Sequence, residues 1–218
     1  MDRVENYHII SCHVLWREIC YFASVSRNVF TFNFLKQGLH NTPDILREEV
    51  QGAIDQVKEE CAAVLIGYGL CSNGLHGITA RDKKLVIMRG HDCITFLLGS
   101  KEEYRAYFDQ NPGTYWYSPG WIDTTGQPSK ERYERVYKSY AEQYGEDNAE
   151  YLMEMEQGWF TRYSNAAYVD LGFDDTKHLK TYTKDCADWL GWNYDELKGD
   201  PGLMKSFLDG DWDPEKFL

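Results

Sequence analysis

Three cysteines stand where an apolar run meets a turn: Cys12 after His8-Ile9-Ile10-Ser11, Cys71 after Val64-Leu65-Ile66-Gly67-Tyr68-Gly69-Leu70, and Cys93 after Leu85-Val86-Ile87-Met88-Arg89-Gly90. Cys12 is followed at once by His13, and Cys93 is preceded two residues earlier by His91. Thiolate and imidazole together make a soft donor set suited to zinc, iron or cobalt. Structural zinc sites draw ligands from closely spaced pairs, whereas open catalytic sites often take three ligands from separate elements. The chain has no C-x-x-C pair, so the second pattern is the one expected. Cys12, Cys71 and Cys93 are the predicted metal ligands, with His91 or His13 as a fourth ligand or a supporting partner. Zinc is the first choice of metal, with iron or an iron–sulfur cluster as alternatives.

The same residues also allow a reactive thiol. Cys71 sits where a strand turns toward a helix, and amides at such a turn lower a thiol pKa and stabilise an oxyanion. His13 or His91 would then be the base and Asp92 its orienter. Gly67 and Gly69, with Ser72 and Asn73, form a glycine-rich turn that allows close backbone approach to a ligand. The turn is not G-x-G-x-x-G, because Ser72 stands at the third glycine position, and no P-loop lysine follows. A cofactor contact at Gly67, Gly69, Ser72 and Asn73 is expected; a nucleotide is not. The aromatic stretch from Tyr115 to Trp121 reads either as a lid, with Trp116 on the ligand, or as core. Cys20, Cys61 and Cys186 read as core residues. His40 reads as a capping or packing residue, the stripe Tyr133, Tyr137, Tyr140 and Tyr144 as a packing face, and Asp200, Asp209, Asp211 and Asp213 as turn and cap residues.

The elements that must position these groups follow from pattern. Tyr7–Ser11, Asn28–Asn33, the run ending at Gly67, and Lys84–Met88 read as strands. Val14–Ala23 and Pro43–Glu60 read as helices, the second started by Thr42 and Pro43. Strand, helix, strand, helix, strand is the order of a parallel α/β sheet. Right-handed crossovers would place the three cysteines on one sheet edge, where open α/β sheets bind ligands. Beyond Cys93 the chain turns aromatic and helical. Helices are expected from Ser100 to Phe108, Ser129 to Tyr144 and Asn148 to Tyr163, with a strand over Ala166–Leu171 and a helical remainder. The expected fold is therefore α/β: a mostly parallel sheet with flanking helices and a helical, aromatic-rich second half. One domain over 1–218 is predicted, with about 110–165 a helical, aromatic insertion over the C-terminal edge of the strands.

Composition sets the limits. The 218 residues are 43% hydrophobic and 15% aromatic, which suits a folded core. A formal charge of −12 without a basic cluster argues against nucleic acid or an anionic membrane as partner. No apolar run approaches the roughly 18–20 residues of a membrane span, and Met1-Asp2-Arg3-Val4-Glu5-Asn6 lacks a signal-peptide core. A cytoplasmic location is expected, and with it reduced cysteines.

Several of these motifs resemble one family. Cys12-His13, Leu39-His40-x-x-Pro43, Gly67-Tyr68-Gly69-Leu70-Cys71-Ser72-Asn73-Gly74, Arg89-Gly90-His91-Asp92-Cys93 and Pro112-Gly113-Thr114-Tyr115 are similar to the prokaryotic family called domain of unknown function 1638. Gly210-Asp211-Trp212 and Phe217 also fit. The resemblance implies a link to corrinoid-dependent methyl transfer in anaerobic bacteria and archaea. A small-molecule ligand, a corrinoid, and a corrinoid or methyltransferase protein are the implied partners. The expected roles are an enzyme or accessory factor with zinc-thiolate chemistry or, alternatively, a non-catalytic module holding a corrinoid or metal. The chain departs from the family's pattern at Phe217-Leu218, where further apolar strand residues would be expected.

Overall fold

A computed structural model describes residues 3–58, 60–70, 73–172 and 176–218. The first half carries four parallel strands: β1 (Asn6–Cys12), β2 (Val29–Leu35), β3 (Ala63–Gly67) and β4 (Leu85–Ile87), in the order β2-β1-β3-β4. β1 and β3 are central and almost wholly buried. That is why they read as continuous apolar runs rather than alternating ones. In register, Ile9 lies beside Leu65 and Ile10 beside Ile66. β2 is an edge strand whose aromatic residues Phe30, Phe32 and Phe34 lie against one another, with ring centroids 6.1 and 5.8 Å apart.

α1 (Trp16–Val25) follows β1 through a single 3-10 turn at His13–Leu15, and buries Ile19, Phe22 and Ala23. α2 (Pro43–Asp55) begins with proline at its first turn and buries Leu46, Val50, Ala53 and Ile54, the spacing of one helical face. It ends five residues before the sequence pattern would have carried it. α3 (Cys93–Leu98) is capped by Asp92, whose Oδ1 accepts from the amides of Ile94 (3.0 Å) and Thr95 (3.2 Å). α4 (Lys101–Gln110) is capped by Ser100.

The second half holds a three-stranded parallel sheet of its own. β5 (Thr114–Tyr117), β6 (Asn165–Asp170) and β7 (Asn193–Lys198) pair in that order. Between β5 and β6 run α5 (Pro119–Thr124), α6 (Lys130–Tyr144) and α7 (Glu146–Gln157). α8 (Lys177–Leu190) links β6 to β7. The aromatic stretch near Tyr115 thus supplies a strand, and the tail is not helical throughout. β7 reads poorly as a strand because it is an edge with most positions exposed, so it carries no apolar run.

The two sheets share one core. The main cluster joins Ile9, Leu65 and Phe96 to Val169 of β6, with Trp116, Trp121 and Leu197 packed against it. α9 (Gly202–Asp209) returns to the first sheet, where the Leu208 carbonyl accepts from the Asn28 side chain (2.9 Å). The last residues lie against the free edge of β4: Leu218 and Ile87 exchange backbone hydrogen bonds of 2.9 and 3.1 Å. Among the described residues no helix is long and apolar enough to cross a membrane.

Candidate functional site

In a sheet of order 2-1-3-4 the crossovers leave β1 in opposite directions, opening a crevice at the carboxyl ends of β1 and β3. A cavity of about 350 Å3 lies there. β1 delivers Cys12 and, just beyond it, Val14; β3 delivers Gly67, then Tyr68 and Gly69; the β4–α3 turn delivers His91, Asp92 and Cys93. His40 enters from the turn that precedes α2. The second sheet closes the opposite side with Tyr115 and Trp116 of β5, Trp121 of α5, and Tyr163.

The structure therefore brings Cys12, Cys93, His91, Gly67, Gly69 and Trp116 to one place. It does not bring His13, which is exposed and lies against Trp16 and Phe34, with ring centroids 6.4 and 6.1 Å away. Directly after Cys12, it leaves the strand toward β2 rather than toward the crevice. Asn73 is likewise exposed and lines no part of the cavity; it adopts the left-handed conformation (φ 64°) that asparagine tolerates. Cys71 and Ser72 lie outside the described residues. His40 is the residue that sequence reasoning passed over. The signal was its place after the carboxyl end of β2, the edge on which such sheets bind ligands.

The two glycines have a steric reason to be glycine. A Cβ on Gly67 would stand 2.3 Å from Ser11 Oγ, and one on Gly69 would stand 2.9 Å from the backbone of Asp92. These positions let β1 and the β4–α3 turn close in beside β3. Leu70 confirms the approach by donating its amide to the Gly90 carbonyl (2.9 Å).

Burial pushes the Cys12 thiol pKa up, against hydrogen bonds from the Val14 amide and the Tyr68 hydroxyl. His40 is pushed down by burial, with the Asp92 charge opposing. Tyr104 is raised by burial and by the Asp92 carboxylate that it hydrogen-bonds, and it stacks on Trp116 at 5.8 Å. One carboxylate therefore caps α3 and, through Tyr104, braces the aromatic wall. Among the described residues no three His, Cys, Asp or Glu side chains stand close enough to hold a metal ion.

The opposite wall depends on a buried contact between the halves. Glu18 of α1 is wholly buried, and its Oε1 accepts from the Gly120 amide at the start of α5 (3.0 Å). Its Oε2 has no hydrogen-bond partner among the described residues. Burial raises its pKa to about 7, against the Gly120 amide, the Ser118 hydroxyl and the Arg17 charge. Arg17 in turn donates from Nε to Asp123 of α5 (2.7 Å).

Comparison with known proteins gives one match. The family described as "Protein of unknown function (DUF1638)" matches residues 34–208. The chain belongs to that family. The matched range takes in His40, His91, Cys93 and the aromatic wall, and begins after Cys12. No curated protein and no solved structure matches.

Proposed function

We propose that the crevice is the working site of a cytoplasmic metal-binding protein, with Cys12, Cys93 and Cys71 as thiolate ligands and His40 or His91 completing the set. The observation that carries this reading is the meeting of Cys12, His40, His91 and Cys93, from three separate stretches of chain, around one cavity of about 350 Å3. Cys71, which lies outside the described residues, is kept as the third thiolate from the sequence alone. The three thiolates would come from separate elements, and a histidine in the fourth position would be the ligand that a substrate displaces. A zinc ion there would act as a Lewis acid on a bound thiol or small acceptor; iron or an iron–sulfur cluster would bring redox chemistry instead. The cavity is at the lower end of the size range for small-molecule sites. A small metabolite fits inside; a corrinoid would have to be presented at the mouth by a partner protein, the arrangement that the family resemblance suggests.

A second reading, a metal-free binding pocket, is favoured by one observation: the described donors do not form a three-residue group by themselves. Metal analysis separates the two. Protein purified without oxygen or chelator is expected to hold one equivalent of metal, lost in Cys12→Ala, Cys71→Ala and Cys93→Ala and reduced in His40→Ala. Metal-free wild type, with all variants folded, overturns the metal site and leaves the binding pocket.

A further inference from the structure

We infer that the ligand of this crevice is a small organic cation of the alkylammonium class. The inference rests on the crevice being the binding site, and stands whether or not a metal shares it. Tyr68, Tyr115, Trp116, Trp121 and Tyr163 line the cavity, and among the described residues no lysine or arginine does. Asp92 is also among the residues that line the cavity, between His91 and Cys93. Among the described lining residues Asp92 alone carries a carboxyl group.

An anion entering this space would lose water and meet no cationic partner, which is costly. A cation meets a carboxylate and the negative faces of aromatic rings, an attraction that strengthens as water is excluded. The rings are also held in place beforehand. Trp116 stacks on Tyr104 (5.8 Å) and meets Tyr107 at a tilt (5.2 Å), and the Trp121 indole donates to Gln127 (2.8 Å). Tyr115 lies within 5.2–6.4 Å of Tyr117, Trp121, Trp159, Tyr163 and Trp192. A wall already ordered spends little entropy on binding. The chain's formal charge of −12 adds a long-range field that draws cations in.

The test compares choline with its neutral isostere 3,3-dimethylbutan-1-ol and with acetate, by calorimetry and tryptophan fluorescence. It uses the full chain, both metal-stripped and zinc-loaded. Choline is expected to bind at least tenfold more tightly than the isostere, and acetate not at all. Trp116→Leu, Trp121→Leu and Asp92→Asn, which keeps a capping acceptor for α3, should each weaken choline at least tenfold. Equal binding of choline and isostere, preference for acetate, or no binding of choline to folded wild type would overturn the inference. Metal content measured on the same samples is read separately. Choline binding without metal therefore removes the metal ligands alone, and metal without choline binding removes the cation alone.

Discussion

The two sheets of this chain are both parallel and both have buried central strands, yet their cysteines meet different fates. At the first sheet Cys12 and Cys93 face a cavity. At the second, Cys186 of α8 is packed into a small cluster with Tyr117, Ala166, Tyr168, Leu179 and Ala187. Burial pushes its thiol up to about 11 despite hydrogen bonds from Tyr182 and Tyr117. At or just beyond the strand ends of the first sheet, Gly67, Gly69 and Gly90 let Ser11, the Asp92 backbone and the Phe96 ring pack closely beneath the crevice. In the second, the fully buried Tyr117 of β5 and Tyr168 of β6 pack in the cluster that holds Cys186. A thiol's chemistry is decided by what is packed around it. The strand itself does not decide it.

The sharpest way to break the comparison is at the contact that lets one half form a wall for the other. A Cβ on Gly120 would stand 2.3 Å from the Val14 carbonyl and 2.5 Å from Glu18 Oε2. Both neighbours are buried, and the first is backbone, so neither can swing away. Gly120→Ala is expected to cost about 3 kcal/mol, the upper part of the usual range for overpacking. It should also displace Trp121 from the cavity. Urea denaturation measures the first effect and ligand binding the second. An unchanged midpoint would mean that the halves do not depend on this close approach.

Glu18 gives the next largest effect, and it depends on pH. Its folded pKa of about 7 lies above the ordinary 4.5. The stability it contributes is therefore whole below about pH 4.5 and is lost as pH rises through 7. The loss amounts to about 3 kcal/mol at 1.36 kcal/mol for each pKa unit. The groups that face it are Arg17 on its own helix, the Gly120 amide and Ser118 hydroxyl at the start of α5, and the Val14 carbonyl near Gly120. Asp123 is engaged with Arg17. Glu18→Gln keeps an acceptor for Gly120 and removes the titration. Its stability relative to wild type should rise steadily from pH 5 to pH 8. Parallel stability curves for the two proteins would show that Glu18 does not bind a proton on folding.

How much of this was legible in the sequence depended on burial. β1, β3 and β4 were readable because central parallel strands are apolar runs, and the turn residues after them marked the functional edge. Cys12, His91 and Cys93 were found together for that reason. β5 was hidden because Thr114–Tyr117 sits among prolines and glycines, and its rings serve the core on one side and the cavity on the other. β7 was hidden because an exposed edge such as Asn193–Lys198 needs no apolar pattern; its backbone pairs with β6 all the same. His40 was missed because a histidine before a helix start has the composition of a cap. Only the position of its loop above the sheet edge gives it another role. His13 was a candidate by adjacency to Cys12, but it opens the 3-10 turn after β1 and lies against Phe34 of β2.

The smallest effect tests the comparison most directly, because it uses the same residue type on both sides. Cys186→Ala removes a packed sulfur without opening a path to solvent, and is expected to cost about 1 kcal/mol. Cys12→Ala removes a group of similar size from a cavity wall, where less packing is lost, and should cost less still. Ligand or metal binding should reverse that order: Cys12→Ala abolishes metal retention and Cys186→Ala leaves it intact. Thiol labelling of the native protein should agree, with Cys93 modified early and Cys186 only as the chain unfolds. If Cys186 labels as fast as Cys93, the second sheet is more open than its packing implies. The contrast between a working edge and a filled one would then fail.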